Sequence, residues 1–520
     1  PGEHLRTVEN RMRFIDLPSA RAQRDPEAPA LRDDAGSYTN RGFLDAVNAA
    51  AGALAAAGVR RGDVVGLLLP NRRELVVALF AAWALGAAVT PVNPVLGPAE
   101  ARYQLEDAGA RLVVTDEDRG TLGVPVLAVE RLSDTPGDAV RAKVAAGENG
   151  PAAEHDLALL IYTSGTTGRP KGVMLEHANL DAMTAGFVEW FGLTEADHSL
   201  LVLPLFHANG IVLGTLSALR AGGQVSIVGR FSRDRFFEDV QRLRPSYFSA
   251  VPAIYAMLNG LPEGEAPDVS SVRFAVCGAA PMPREAIARF EGRFGITIVE
   301  GYGLSETTTA STINPLAGPR KPGTVGLALP GQRVLVVDAE GAPVPAGERG
   351  EVVISGPAVM RGYLNRPEET AKTLVNGWLH TGDIGVFDDE GYLSIVDRIK
   401  DMIIRGGENI YPKEIENALY THPGVVEAAV VGRAHPVLGE EPIAFVALTP
   451  DAAGEAAEAR MRDELRALGE RELAPFKRPV EIVVLPALPK NPVGKIDKPA
   501  LRVGLPARAW WSRAWGRFRL

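Results

Sequence analysis

Apolar residues recur at helical spacing over residues 41–57, collect in a short block at 64–69, return to helical spacing from Leu75, and then form blocks at 87–92 and 112–115 on either side of a helical stretch at 99–108. Helical periods that alternate with short apolar blocks predict a parallel sheet with helices on its faces. Leu75 to Ala99 carries no charge and exceeds the roughly twenty residues that a membrane crossing needs. Gly86, Pro91 and Pro94 interrupt it, however, and it reads as a buried helix over 75–85 followed by a buried strand over 87–92. A second alternating unit runs over 179–276, with strands expected at 199–203, 224–228 and 247–250. Residues 133–155 are small, polar and charged, as in a surface loop.

Beyond Gly323 the texture changes to short strands separated by Gly and Pro, at 334–337, 351–355 and 392–396, which predicts a small mostly-β subdomain. The charged segment Asp397-Arg-Ile-Lys-Asp401 follows, and then 411–419, 425–431, 443–448 and 457–468 describe a compact α+β unit. The expected fold is therefore α/β: a large N-terminal domain over 1–398 and a small mobile α+β domain over 399–505, with the boundary near Lys400. Residues 506–520 form a separate tail.

Length and composition narrow the class. A chain of 520 residues exceeds one ordinary hydrophobic core. Its 55 Lys and Arg against 64 Asp and Glu give a net charge of -9, which argues against general nucleic-acid binding. The single cysteine, Cys277, precludes an internal disulfide framework and fits a reducing compartment, so a cytoplasmic location is expected. Glu3, Arg6, Glu9, Arg11 and Arg13 leave no apolar leader segment at the start of this sequence. The tail interleaves Arg508, Arg513, Arg517 and Arg519 with Trp510, Trp511, Trp515 and Phe518, a pattern that also suits weak contact with a membrane surface.

The chemistry is organised around Tyr162-Thr-Ser-Gly-Thr-Thr-Gly-Arg-Pro-Lys-Gly172. Apolar blocks on both sides predict a long turn between two strands. Gly165 and Gly168 let backbone approach an anion, Thr163, Ser164, Thr166 and Thr167 add hydroxyl donors, and Lys171 adds charge. It differs from the Gly-x4-Gly-Lys-Ser/Thr loop of the common ATPases, because a proline precedes the lysine and a strand follows it. Four further stretches supply what ATP-dependent activation needs. Glu300-Gly-Tyr-Gly-Leu-Ser-Glu306-Thr307 joins an aromatic face to a carboxylate and hydroxyls; Asp383 follows a glycine turn, suited to a ribose; Arg405-Gly-Gly-Glu408 pairs two glycines; and Lys495 sits after Gly494.

These motifs, in this order, resemble the adenylate-forming superfamily of acyl-CoA synthetases, aryl-CoA ligases and luciferases over about residues 14–503. The resemblance implies two steps, formation of an acyl-adenylate from ATP and a carboxylate, then transfer to a thiol, with Mg²⁺ as cofactor and CoA as cosubstrate. It further implies roles. Thr163 to Lys171 would hold the β- and γ-phosphates, Thr307 would lie near the α-phosphate, and Glu306 would hold Mg²⁺. Gly278, Ala279, Ala280, Glu300, Gly301 and Tyr302 would form the adenine slot, and Asp383 and Arg398 would take the ribose. Lys495 would bridge carboxylate and α-phosphate, Lys400 would be the hinge, and Gly406, Gly407 and Lys477 would meet CoA. Lys495 also matches a lysine that is acetylated in some bacterial relatives.

His207, in Pro204-Leu-Phe-His-Ala-Asn-Gly210, stands where amino-acid-activating members carry Asp, so an α-amino acid is disfavoured. Gly301 stands where malonate-activating members carry Arg, which disfavours a dicarboxylate unless Arg284 or Arg233 serves. The expected acid pocket, His207, Val251, Pro252, Cys277, Gly278, Gly303 and Leu304, is otherwise small or apolar. The reading favours a medium- or long-chain fatty acid, then an aryl or phenylpropenoid acid, then an acyl-AMP ligase that loads a carrier protein. A homodimer is compatible with it.

Overall fold

The computed structural model describes residues 13–116, 120, 122–133, 153–163, 169–262, 264, 267–280, 282–406, 408–449, 454–490 and 495–503. The tail 506–520, with its expected membrane contact, lies outside them. The chain forms two compact units. One takes in the chain up to Leu335 with Val353–His380 and Gly391–Leu393; the other takes Val336–Val352, Thr381–Glu390 and the chain from Ser394 on.

The first unit contains two mixed sheets. In one, the strands Ile298–Tyr302, Phe274–Cys277, Tyr247–Ala250, His198–Leu201, Gln224–Ile227 and Pro29–Asp33 run parallel in that order, with antiparallel strands at each edge. In the other, Leu157–Thr163, Ala88–Pro91, Val64–Leu68, Ala110–Thr115 and Val126–Ala128 are parallel, and Lys171–Glu176 pairs antiparallel with the first of these. Every residue of Val64–Leu68 and Ala88–Pro91 is buried, as parallel strands covered on both faces require. The uncharged stretch resolves into the helix Arg73–Ala84 and the strand Ala88–Pro91, with Trp83 donating from its indole to Ala158 O at 3.0 Å. No helix among the described residues is long and apolar enough to cross a membrane.

Phe248, Tyr255 and Phe290 fill the core beneath the first sheet. The buried Tyr255 phenol donates to Val276 O at 2.8 Å, which satisfies its one polar atom and ties its helix, Pro252–Asn259, to the strand ending at Cys277.

In the second unit Val425–His435 and Gly439–Leu448 form a long antiparallel hairpin, flanked by Ile403–Arg405 with Glu408–Ile410 and, in parallel, by Glu481–Val484. The helices Pro412–Tyr420 and Glu455–Glu472 contribute Ile415, Leu419 and Leu465 to its core. The α/β class and most predicted elements are therefore present. The hairpin Pro29–Thr39 was not anticipated, nor was the π-helical stretch Val212–Ser217, whose Thr215 and Ser217 hydroxyls bond carbonyls five residues back.

Candidate active site

The strands Leu157–Thr163 and Lys171–Glu176 place Thr163 opposite Lys171 and Tyr162 opposite Gly172, so the phosphate-loop sequence spans a hairpin as expected. Ser164, Gly165, Thr166, Thr167 and Gly168 lie outside the described residues. What holds the two flanks comes from elsewhere in the chain. Tyr162 donates its phenol to Asp107 Oδ2 at 2.8 Å, while Arg366 Nη2 reaches Asp107 Oδ1 at 3.1 Å. Burial first, and Asp107 second, push the Tyr162 phenol well above its ordinary pKa, so it stays a donor. On the other flank, Gly362–Tyr363 pairs with Lys171–Glu176, and the Tyr363 phenol donates to Glu306 Oε1 at 2.8 Å. The Lys171 ammonium lies 5.2 Å from the centroid of the Tyr363 ring and forms an ion pair with Glu369. Burial lowers the Lys171 pKa, and the neighbouring Glu306 charge opposes that shift.

Residues 362–373 were not singled out from the sequence. The available signal was Arg366-Pro-Glu-Glu369, a proline-led helix start with charges of both signs shortly after Gly362-Tyr363.

Cys277 stands opposite Glu300 on adjacent parallel strands, so Gly278, Ala279 and Ala280 leave the sheet beside Glu300, Gly301 and Tyr302. Glu300 is buried and accepts from Gly323 N–H at 2.8 Å; burial nonetheless raises its pKa to about 7. The buried Cys277 thiol is pushed well up by burial and then by Glu300, so it remains a thiol. The glycines differ in what surrounds them. A Cβ on Gly303 would lie 2.4 Å from Ala310 Cα and one on Gly301 2.8 Å from Ile313 Cγ1, whereas one on Gly278 would meet nothing closer than 3.6 Å. Gly303 and Gly301 thus admit the chain's own neighbouring atoms rather than adding space for a ligand.

Thr307 is fully buried, and its hydroxyl both accepts from Leu304 N–H and donates to Leu304 O, each at 3.1 Å. Ser305, which precedes Glu306 and was given no role from the sequence, is half-buried. His207 begins the short helix Ala208–Ile211, with its ring 4.5 Å from that of Phe206 and both partly exposed. Val251 precedes Pro252 at the start of the helix Pro252–Asn259 and packs on the core beneath. Arg284 lies against Gly323 and acts on Glu300, and Arg233 pairs with Asp234.

The remaining predicted residues belong to the second unit. Arg398 Nε lies 2.8 Å from Asp383 Oδ1, and the Asp383 residue is only 2% exposed. Burial, then the adjacent Arg398 charge, lowers the Lys400 pKa. Gly406, directly after the strand Ile403–Arg405, has φ +62°, a conformation that suits glycine, and its N–H donates to Leu438 O at 2.7 Å. Gly407 lies outside the described residues. Lys477 is held by Glu414, with Nζ 2.6 Å from Oε1. Lys495 is exposed beside the bridge that joins Lys490 to Ile496.

The pattern that defines the AMP-binding enzymes matches residues 19–364, and that of the AMP-binding enzyme C-terminal domain matches residues 414–495. The chain belongs to the AMP-binding enzyme family. This AMP-binding enzyme is 38% identical to a feruloyl-CoA synthase from Amycolatopsis sp over 487 residues, 93% of this chain and 97% of the relative. It is also 38% identical over 498 residues to a sulfoacetate–CoA ligase from Cupriavidus necator, covering 93% and 96% of the two chains. Among solved structures, the o-succinylbenzoate CoA synthetase of Bacillus subtilis in complex with ATP and magnesium superposes with a TM-score of 0.82 at 31% identity, covering 94% of this chain and 99% of that one. The AMP-binding enzyme is an ATP-dependent acid–CoA ligase that uses ATP, Mg²⁺ and CoA. The residues present suit Mg²⁺. Tyr363 binds one Glu306 oxygen and orients the carboxylate, and Mg²⁺ is ordinarily held by one or two carboxylates together with phosphates and water.

Proposed function

We propose that this ligase activates an aryl or phenylpropenoid acid. The observation that carries the reading is the difference between the glycines. The preference for a long acyl chain drew on glycines at 278 and 303, but the Cβ position of Gly303 falls on Ala310 and that of Gly301 on Ile313. Only Gly278 of the three leaves room beside the strand end, where the nearest atom a Cβ would meet is Gly301 O, at 3.6 Å. Room confined to one glycine position suits a compact, rigid ring better than a long flexible chain, and the identity to a feruloyl-CoA synthase supports the same class.

In the first step a carboxylate oxygen attacks the α-phosphorus of ATP, the bond to the bridging oxygen breaks, and pyrophosphate leaves. In the second, the CoA thiol loses its proton and its sulfur attacks the acyl carbon, and AMP departs with the electron pair of the acyl–oxygen bond. A carboxylate is a weak nucleophile, so positioning and preorganised positive charge supply the rate. Lys171, Thr163 and the loop between them hold the β- and γ-phosphates. Glu306, oriented by Tyr363, holds Mg²⁺, which neutralises phosphate charge when bound. Ser305 takes the α-phosphate role expected of Thr307, whose hydroxyl is committed to Leu304. Asp383, held by Arg398, accepts from the ribose hydroxyls. Lys495 serves the adenylation step, Lys400 serves as the hinge, and Gly406 and Gly407 meet the CoA arm. Lys477 needs to release Glu414 before it can contact CoA.

The test is pyrophosphate release with ATP and Mg²⁺ across benzoate, 4-coumarate, ferulate, sulfoacetate and saturated acids from octanoate to palmitate, with AMP and thioester followed with and without CoA. Turnover of the aromatic acids above the others, with thioester formed only when CoA is present, supports the reading. Preference for octanoate to palmitate reinstates the fatty-acid reading, and adenylate that accumulates regardless of CoA points to a carrier-protein acceptor.

A further inference from the structure

Residues 362–373 form a brace that ends on the phosphate-loop lysine. Arg366, which begins the helix Pro367–Thr373, is anchored on Asp107 and on the Tyr103 hydroxyl. One turn later the Thr370 hydroxyl accepts from Tyr363 N–H and donates to Arg366 O, each at 2.9 Å, which locks the helix onto the strand that carries Tyr363. Glu369 lies between these two anchors, and its carboxylate reaches the Lys171 ammonium.

An exposed ion pair would mean little. Here the side chains are only 13% and 29% exposed, and Glu369 Oε2 is buried with no aligned hydrogen-bond donor among the described residues, so the ammonium is the charge that compensates it. A second carboxylate, Glu306, also acts on Lys171. One ammonium is thus paired with one carboxylate and acted on by a second, directly after residues that, on the reading above, hold polyphosphate.

We propose that Glu369 is a resident counter-charge that shares Lys171 with the β- and γ-phosphates and thereby keeps pyrophosphate binding weak enough for release. The carboxylate attracts the same cation as the phosphates and repels the phosphates themselves, so its charge opposes polyphosphate binding twice over. Each molecule of pyrophosphate formed has to leave the loop before the next ATP enters, and a lysine without a counter-charge would retain it. AMP has no β- or γ-phosphate and is not subject to this competition.

The inference rests on the reading of Thr163 to Lys171 as the phosphate loop, and the experiment separates the two. Magnesium pyrophosphate and AMP are titrated calorimetrically into the full-length wild type, Glu369→Gln, Glu369→Asp, Lys171→Met and the Glu369→Gln/Lys171→Met double variant. Both Glu369 variants are expected to bind pyrophosphate about three- to tenfold more tightly, through loss of the charge in one and of its reach in the other, with AMP affinity unchanged. In the Lys171→Met background, where only the direct repulsion remains, Glu369→Gln is expected to tighten pyrophosphate by a smaller factor than it does in the wild type. Unchanged or weaker pyrophosphate binding in the Glu369 variants overturns the proposal, as does equal tightening of AMP. If Lys171→Met binds pyrophosphate as well as the wild type, the phosphate-loop reading itself fails; if Lys171→Met weakens binding while the Glu369 variants do not tighten it, only the counter-charge fails.

Discussion

The Tyr363 phenol donates to Glu306 Oε1 at 2.8 Å, joining two residues that lie 57 positions apart. The bond fixes which carboxylate oxygen faces the phenol; on the proposed reading the other meets Mg²⁺. Hydrogen bonds to charged groups contribute about 1.5–3 kcal/mol, and this one is only partly buried, so the lower end applies. Tyr363→Phe is expected to raise the KM for MgATP about tenfold and to shift the Mg²⁺ requirement upward, with Tm nearly unchanged. An unaltered Mg²⁺ titration would show that the phenol does not orient Glu306.

Lys495→Ala is expected to slow acyl-adenylate formation by about two to three orders of magnitude, as loss of one preorganised charge donor does, while leaving thioester formation from supplied acyl-adenylate nearly intact. Single-turnover measurement of each half-reaction decides it. Equal losses in both halves would remove Lys495 from the adenylation step.

Glu300 has a pKa of about 7, above its ordinary value of 4.5, because burial penalises its charged form. A carboxyl raised on folding binds its proton more tightly in the native state. The stability this contributes is fully present below about pH 4.5 and is lost as pH rises through 7. Glu300→Gln carries no proton to lose, so the Tm of the wild type should fall relative to that of the variant between pH 5 and 8 and run parallel above that range. Curves that stay parallel from pH 5 onward would place the Glu300 pKa near its ordinary value.

Arg433 is buried in the second unit, with Nη2 2.6 Å from Glu441 Oε1 and Nη1 2.6 Å from Glu481 Oε2. Removing a partner strands a buried charge, which costs about 3–5 kcal/mol; Glu481 remains, so about 3 kcal/mol is expected for Glu441→Ala. Urea denaturation should show the loss. The double variant Arg433→Met/Glu441→Leu, which removes both charges, should recover most of it, and failure to recover would point to packing rather than charge.

Much of the site was legible because its determinants are local. The hydroxyls and glycines between Tyr162 and Gly172, the Glu300–Thr307 run and the Asp383 turn announce their chemistry within a dozen residues. The brace at 362–373 was not legible, since nothing in Arg366-Pro-Glu-Glu369 says that Arg366 will meet Asp107 or Glu369 will meet Lys171. Thr307 was the hydroxyl expected from the sequence, and nothing local says that its side chain will bond the backbone of Leu304.

By itself the sequence determined most of the segments that become helix or strand, their alternation, and the α/β class, because periodicity and burial act over a few residues at a time. It also determined the order of the motifs and, through them, the family. The tertiary structure alone decided which carboxylate faces which cation and which glycine leaves space. Those outcomes depend on strand order and register, which bring Val173 beside Tyr363 and Gly301 beside Ile313, and no local pattern encodes the identity of a neighbour that arrives from a distant strand.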